Sequence, residues 1–302
     1  MSPIFILIKE NINNMIKRLF LALCIILVFT YVACQNAELK ESDELFYNPY
    51  IQHIIKYNKQ FKDISLLDAT ENQFQYQVAN KSNLYIDGNS LTNGFRLIQL
   101  NKDSISEIYK FNKNEGVFPI GTIGEKLYCV HAYYKVNGEE KTEKRRVGVF
   151  DLNTKKLIDF TNTKGLVSYG GVGKDYIYYT VYHDSSNTYS LMRVKINVID
   201  SIPEQIKDSL IDGRIIVSND DLYYSNGNNL FCGEKKYKIE SENFIEKNSL
   251  IQFYPNSYGR LCIKIINLQN NNVFEDEDIC GIRFENDYLM ICKLSGVISY
   301  AL

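Results

Sequence analysis

Six short strings recur along the chain: SNLYID (82–87), EKLYCV (125–130), DYIYYT (175–180), DDLYYS (220–225), NSLIQF (248–253) and DYLMIC (287–292). In each, polar or turn-prone residues precede Leu or Ile, and an apolar run follows. The anchors Leu84, Leu127, Ile177, Leu222, Leu250 and Leu289 lie 28 to 50 residues apart. A repeat of roughly 40–50 residues with short strands is the period of a propeller blade, a unit that buries its apolar face only by stacking on its neighbours. Each anchor marks a second strand. A first strand precedes it (74–79, 117–124, 166–173, 214–218, 243–247, 279–286), and a third follows (94–101, 145–153, 189–197, 229–233, 260–268, 296–302). Five repeats have a fourth strand (106–111, 155–161, 204–209, 236–240, 271–276).

The sixth repeat reaches Leu302 before its fourth strand. DISLLDAT (63–70) stands before FQYQVA as KLIDFTNT (156–163) stands before LVSYGG. The expectation is therefore an all-β, six-bladed β-propeller of antiparallel four-stranded blades over 62–302, with an N-terminal strand completing the last blade. Full radial repetition of this kind leaves only short edges exposed. The strings resemble the six-bladed propellers of bacterial lipoproteins and of the TolB-like and YWTD-like groups, which implies a binding domain. Five or seven blades, or a generic antiparallel β protein, are the alternatives. Ahead of the repeats, Asn48 and Pro49 suit a helix cap and first turn. Tyr50, Ile54, Tyr57 and Phe61 share one helical face, so 48–61 is expected to form a short helix on the propeller rim or, alternatively, against a partner.

The start of the chain gives an address. Lys17 and Arg18 lead into an apolar run from Leu19 to Ala33. That run is shorter than the roughly 20 residues of a spanning helix, and its layout is that of a secretory signal. Tyr31-Val32-Ala33-Cys34 resembles the lipobox of bacterial lipoproteins, which implies a signal over 1–33 (start at Met1 or Met15), lipid on Cys34 and a tether over 34–61. A plainly cleaved signal and a retained helix are the alternatives. The acidic stretch after Cys34 resembles tethers of surface-exposed lipoproteins. The implied location is the bacterial cell envelope, on its periplasmic or surface face.

Composition excludes more than it assigns. The formal charge is −2, and removing residues 1–33 makes the remainder more acidic. No basic stripe or nucleic-acid reading motif is present. The 23 Tyr and 16 Phe favour strands. Cys129, Cys232, Cys262, Cys280 and Cys292 sit inside apolar runs with no CxxC pair. They are read as small buried apolar groups, with a bridge among Cys262, Cys280 and Cys292 as the alternative.

No nucleophile elbow, calcium loop or βαβ dinucleotide loop appears. Glu275-Asp276-Glu277-Asp278 reads as a solvated turn, Gly170-Gly171-Val172-Gly173 as hairpin glycines, and Lys144-Arg145-Arg146 as a solvated strand. Asp87-Gly88, Asn137-Gly138, Asp212-Gly213 and Asn226-Gly227 read as hairpin turns. His131 and His183, with Asp184, follow second strands of neighbouring blades and are the rim candidates for a site. No catalytic set, metal or cofactor is expected. The function expected is a non-catalytic, envelope-anchored propeller that binds a protein or glycan. A propeller glycoside hydrolase or lyase working with two carboxylates at the channel mouth is the alternative, and a scaffolding component is the third reading.

Overall fold

A computed structural model describes residues 43–302, apart from 50, 52, 67–75, 79–82, 90–93, 137–139, 164, 219 and 240–241. The signal region and Cys34 lie outside the described residues. Runs rich in Tyr, Ile and Val, broken by Asn, Asp and Gly, form antiparallel meanders throughout, and the described residues contain no helix.

The chain enters through β1 (Asp43–Asn48), β2 (His53–Asn58) and β3 (Asp63–Leu66). The first blade is β4 (Tyr76–Val78), β5 (Leu84–Asn89), β6 (Gly94–Leu100) and β7 (Ile105–Lys110). The second is β8 (Glu115–Ile123), β9 (Lys126–Val136), β10 (Glu140–Asp151) and β11 (Lys156–Asp159), and the third is β12 (Leu166–Val172), β13 (Tyr176–His183), β14 (Thr188–Lys195) and β15 (Glu204–Leu210). The fourth is β16 (Ile215–Ser218), β17 (Asp221–Asn226), β18 (Asn229–Cys232) and β19 (Lys235–Lys238). The fifth is β20 (Glu242–Glu246), β21 (Ser249–Pro255), β22 (Leu261–Asn267) and β23 (Val273–Asp276), and β24 (Ile279–Glu285), β25 (Tyr288–Lys293) and β26 (Gly296–Ala301) make the sixth. Five sheets are four-stranded, and the sixth runs β26-β25-β24-β1-β2-β3. The molecule is a six-bladed propeller, and every repeat anchor lies at or near the start of its blade's second strand.

Each blade buries both faces, which explains the near-continuous apolar runs. Odd positions of β9 (Leu127, Cys129) pack on the first blade with Phe95 and Leu97. Even positions (Tyr128, Val130) pack on the third with Ile177 and Tyr179. The first strands approach so closely that glycine is required between them. A Cβ on Gly170 would lie 2.7 Å from Ile120 of β8, and one on Gly171 would lie 2.7 Å from Val217 of β16. These glycines are close-approach positions in the middle of β12, not the hairpin glycines expected. Gly88 likewise falls inside β5, and Asp212-Gly213 links two blades. Asn226-Gly227 does make a hairpin turn, with Gly227 at φ +62°.

Ring closure departs from the expectation in two ways. The N-terminal strands do share a sheet with the C-terminal ones, but β1 enters it by pairing with β24, at Tyr47 and Ile282. Residues 63–66 lie two strands further out instead of beside β26. The expected helix is a β-hairpin. Asn48 caps a turn and not a helix, its Oδ1 accepting from Ile51 N. Ile54 and Tyr57 point to opposite faces of β2, and both are buried because the strand is covered on both sides. Phe61, the fourth member of the supposed helical face, is 65% exposed.

The closure is fastened from both flanks. Phe46, Ile55 and Tyr57 pack with Cys292, Met290 and Val297 of the sixth blade, and Tyr47 sets its ring 4.8 Å from Tyr85 of the first. Asn83, before β5, donates to Phe284 O (2.8 Å) and accepts from Phe284 N (3.2 Å), joining first and last blades directly. Arg283, 1% exposed, donates to Leu45 O (2.7 Å), pairs with Glu285 and Glu44, and lies over the Phe46 ring at 4.5 Å. Buried Glu44 also takes Lys59 and Lys102.

Candidate functional site

His131 lies in β9 on the face toward the first blade and is buried. It donates through Nδ1 to Asp159 Oδ1 (2.8 Å), and Tyr133 OH donates to Asp159 Oδ2 (2.8 Å). The carboxylate comes from β11, across β10. It reaches because Gly148, paired with both Cys129 and Asp159, leaves the intervening position empty. A Cβ there would meet Cys129 Sγ at 3.3 Å and His131 Cβ at 3.4 Å. Burial disfavours the Asp159 charge, but the hydrogen bonds from His131 and Tyr133 outweigh it and hold the carboxyl below the usual range. Burial, then Asp159, pushes the Tyr133 phenol up. His131 Nε2 is buried with no partner among the described residues. This His–Asp pair is oriented like a general base, yet the nitrogen that would accept a proton is walled off from solvent.

His183 ends β13 on the face toward the second blade. Its Nε2 donates to Ser190 Oγ (2.7 Å), and Ser190 Oγ donates to Asp208 Oδ1 (2.7 Å). The hydrogen bond from Ser190, then the Ser209 amide, holds Asp208 below its ordinary value. Serine is thus the middle member of the chain. A hydrolase needs the serine proton directed at histidine and the histidine backed by the carboxylate, and here the serine proton goes to the carboxylate. The two histidines do not converge, because the sheet of the second blade stands between their faces. Asp184 is exposed in the β13–β14 turn.

The acidic run is consumed by ion pairs and a hydrogen bond. Glu275 takes Lys264, Asp276 takes Lys293, Asp278 takes Arg260, and Glu277 accepts from Asn256. No group of His, Cys, Asp and Glu among the described residues is placed to hold a metal. All five described cysteines are free, and Cys129, Cys262 and Cys292 are buried. Burial pushes the Cys129 and Cys292 thiols up, away from nucleophilic use.

Sequence reasoning did not anticipate an aromatic cluster on the other face of the third blade, toward the fourth. A bulge in β12 between Val167 and Gly170 turns out Tyr169, whose NH bonds Thr180 Oγ1. Its ring is 6.2 Å from Tyr189, which is 5.0 Å from Tyr182, its cross-strand partner. Tyr182 OH donates to Asn187 Oδ1 (2.8 Å). The floor is Gly213, where a Cβ would lie 2.4 Å from the Tyr189 ring. Beside it, Asp212 Oδ2 accepts from Arg214 Nε (3.0 Å) and Nη2 (2.9 Å). Burial opposes the Asp212 charge, and the Arg214 contacts outweigh it, holding that carboxyl low. The available signal was Tyr182 and Tyr189 flanking a polar hairpin tip, which marks tyrosines stacked across two strands.

No family model matches the chain, and no curated protein matches it. Solved structures share the fold at low identity. TolB from Acinetobacter baumannii aligns with a TM-score of 0.50 and 11% identity, over 79% of this chain and 64% of that one. The propeller domain of the Trilobed protease from Pyrococcus furiosus gives 0.49 and 11%, over 82% and 86%. An acylaminoacyl peptidase from Pyrococcus horikoshii gives 0.49 and 11%, over 82% of this chain but 46% of its own length. The chain therefore spans less than two thirds of TolB and about half of the peptidase. These likenesses concern the propeller fold.

Proposed function

We propose that this protein is a lipoprotein held at the bacterial cell envelope by lipid on Cys34, and that its propeller binds a protein or glycan without catalysing a reaction. One observation carries the non-catalytic reading. Neither histidine network is arranged like a nucleophile–base pair: His131 Nε2 is buried, and Ser190 directs its proton to Asp208 and not to His183. A propeller instead offers what a binding domain needs, a rigid frame that presents loop and rim side chains.

The sequence around Cys34 supports the address. Metabolic labelling with a fatty-acid analogue tests it, comparing the native chain with Cys34→Ala. Loss of label and a shift to the soluble fraction are the expected result, and equal labelling of the two chains refutes the anchor.

A further inference from the structure

We propose that the surface at the junction of the third and fourth blades, carrying Tyr169, Tyr182, Tyr189, Asn187 and the Asp212–Arg214 pair, is a subsite for an uncharged saccharide ring. This rests on the reading of the propeller as a binding domain, and it names the ligand class.

The geometry supports it in three steps. The first is the exposed aromatic surface. Tyr169 sits on the first strand of its blade, and the β-bulge exposes it to 38% where its neighbours Val167, Gly170 and Gly171 pack inward. Tyr182 and Tyr189 are half-buried behind it. The rings are tilted to one another by 57° and 47°, which makes an angled wall and not a flat apolar plane. A protein partner is usually met by a broad apolar patch. A sugar presents a small apolar CH face edged by hydroxyls, which matches an aromatic body with a polar tip.

The second step is the polar border. Asn187, at the tip of the β13–β14 hairpin, is fixed by Tyr182. Asp212 Oδ2 takes both Nε and Nη2 of Arg214, and Oδ1 takes the Arg214 amide. Planar, preoriented amide, carboxylate and guanidinium groups beside an apolar surface are the few fixed polar groups that give a pocket its specificity. They suit vicinal hydroxyls, which both donate and accept.

The third step is charge. Asp212 and Arg214 neutralise each other, and Asp184 lies in the same hairpin as Asn187. Lys207, on the outer strand of the same blade, donates to Tyr224 and sits over that ring. Among the described residues these cations are paired, which favours a neutral ring over a phosphate, sulfate or uronate.

The experiment is a glycan array probed with the full chain in detergent micelles, carrying neutral gluco-, xylo-, manno- and chito-oligosaccharides and anionic counterparts, followed by calorimetric titration of the retained sugar. Retention of a neutral oligosaccharide is expected, with Tyr169→Ala weakening it about tenfold, the scale of one lost aromatic contact. Tyr169 is 38% exposed, so Tyr169→Ala lowers Tm by a few degrees only, and titration well below that Tm separates lost binding from lost folding. Tyr182→Phe keeps the ring but releases Asn187, so it weakens binding by less than Tyr169→Ala. Failure to retain any saccharide, retention of anionic sugars alone, or equal affinity in Tyr169→Ala overturns the proposal. So does a peptide array captured through the same tyrosines in place of sugars. In each of these cases fatty-acid labelling at Cys34 is read separately, so the envelope reading stands or falls on its own result.

Discussion

Replacing Arg283 with methionine tests whether the ring is latched as described. The substitution keeps an unbranched apolar stem over Phe46 and removes the guanidinium. Three consequences follow. Leu45 O loses its charged donor at 2.7 Å and stays buried without one, at about 1–3 kcal/mol. Glu44 loses one of three cations, the one at 3.5 Å, and Glu285 loses a contact at 2.9 Å. The contact with the Phe46 ring is worth up to about 2 kcal/mol when desolvated.

Against these stands the cost of burying a cation whose Nε has no partner among the described residues, which the methionine relieves. The balance is a loss of about 3 kcal/mol, the low end for breaking a buried pair. For a domain of this size that lowers Tm by about 6–12 °C. Far-UV circular dichroism is the suitable probe, since the chain has no Trp. Lys102→Met is the control. That side chain is 56% exposed, so its loss costs about 1 kcal/mol or less. Hydrogen exchange in Arg283→Met should show β1–β3 losing protection before the meanders. A variant as stable as the parent, or one destabilised no more than Lys102→Met, refutes the latch.

Acid should loosen the fold in a defined window. The lysines and Arg283 outweigh the burial penalty at Glu44, and His131 and Tyr133 do so at Asp159. Both folded values lie below the unfolded ones, so their stabilisation is complete above the unfolded carboxylate value near about 4 and is lost as pH falls through the folded values. Tm measured from pH 7 to 3 should hold and then drop, with a shallower drop in Asp159→Asn; a Tm that rises into acid contradicts the assignment. Gly148→Ala should cost about 1–3 kcal/mol by crowding Cys129, Leu157 and His131, read as the shift in urea midpoint. An unchanged midpoint would mean that Asp159 does not need the empty position it reaches across.

The blades were legible because their signal is local. Polar punctuation, an aliphatic anchor and an apolar run recur wherever a second strand sits between two covered faces, and the predicted strand ranges fall within a few residues of the observed ones. The segment 48–61 misled because Ile54, Ile55 and Tyr57 satisfy both periods. A strand buried on both faces has no polar side to break the tie, and helical spacing then fits by coincidence. Only long-range contacts such as Gly281 against Phe46 and Ile55 decide it. His131 was found, but not Asp159, because a carboxylate reaching across an intervening strand through a glycine leaves no fixed spacing in the chain. Tyr169 was hidden for a related reason: a bulge shifts the alternation, and the residue it exposes reads as one more apolar strand position.

β1 is the first described strand and also the piece of the sixth sheet gripped by Arg283. A tug on the chain ahead of Asp43 therefore reaches the junction between first and last blades before it reaches any meander. Five blades hold themselves together by consecutive hairpins and feel that tension only afterwards. Mechanical strain on the leading segment would therefore load the pairing of β1 with β24 before it loads the other blades.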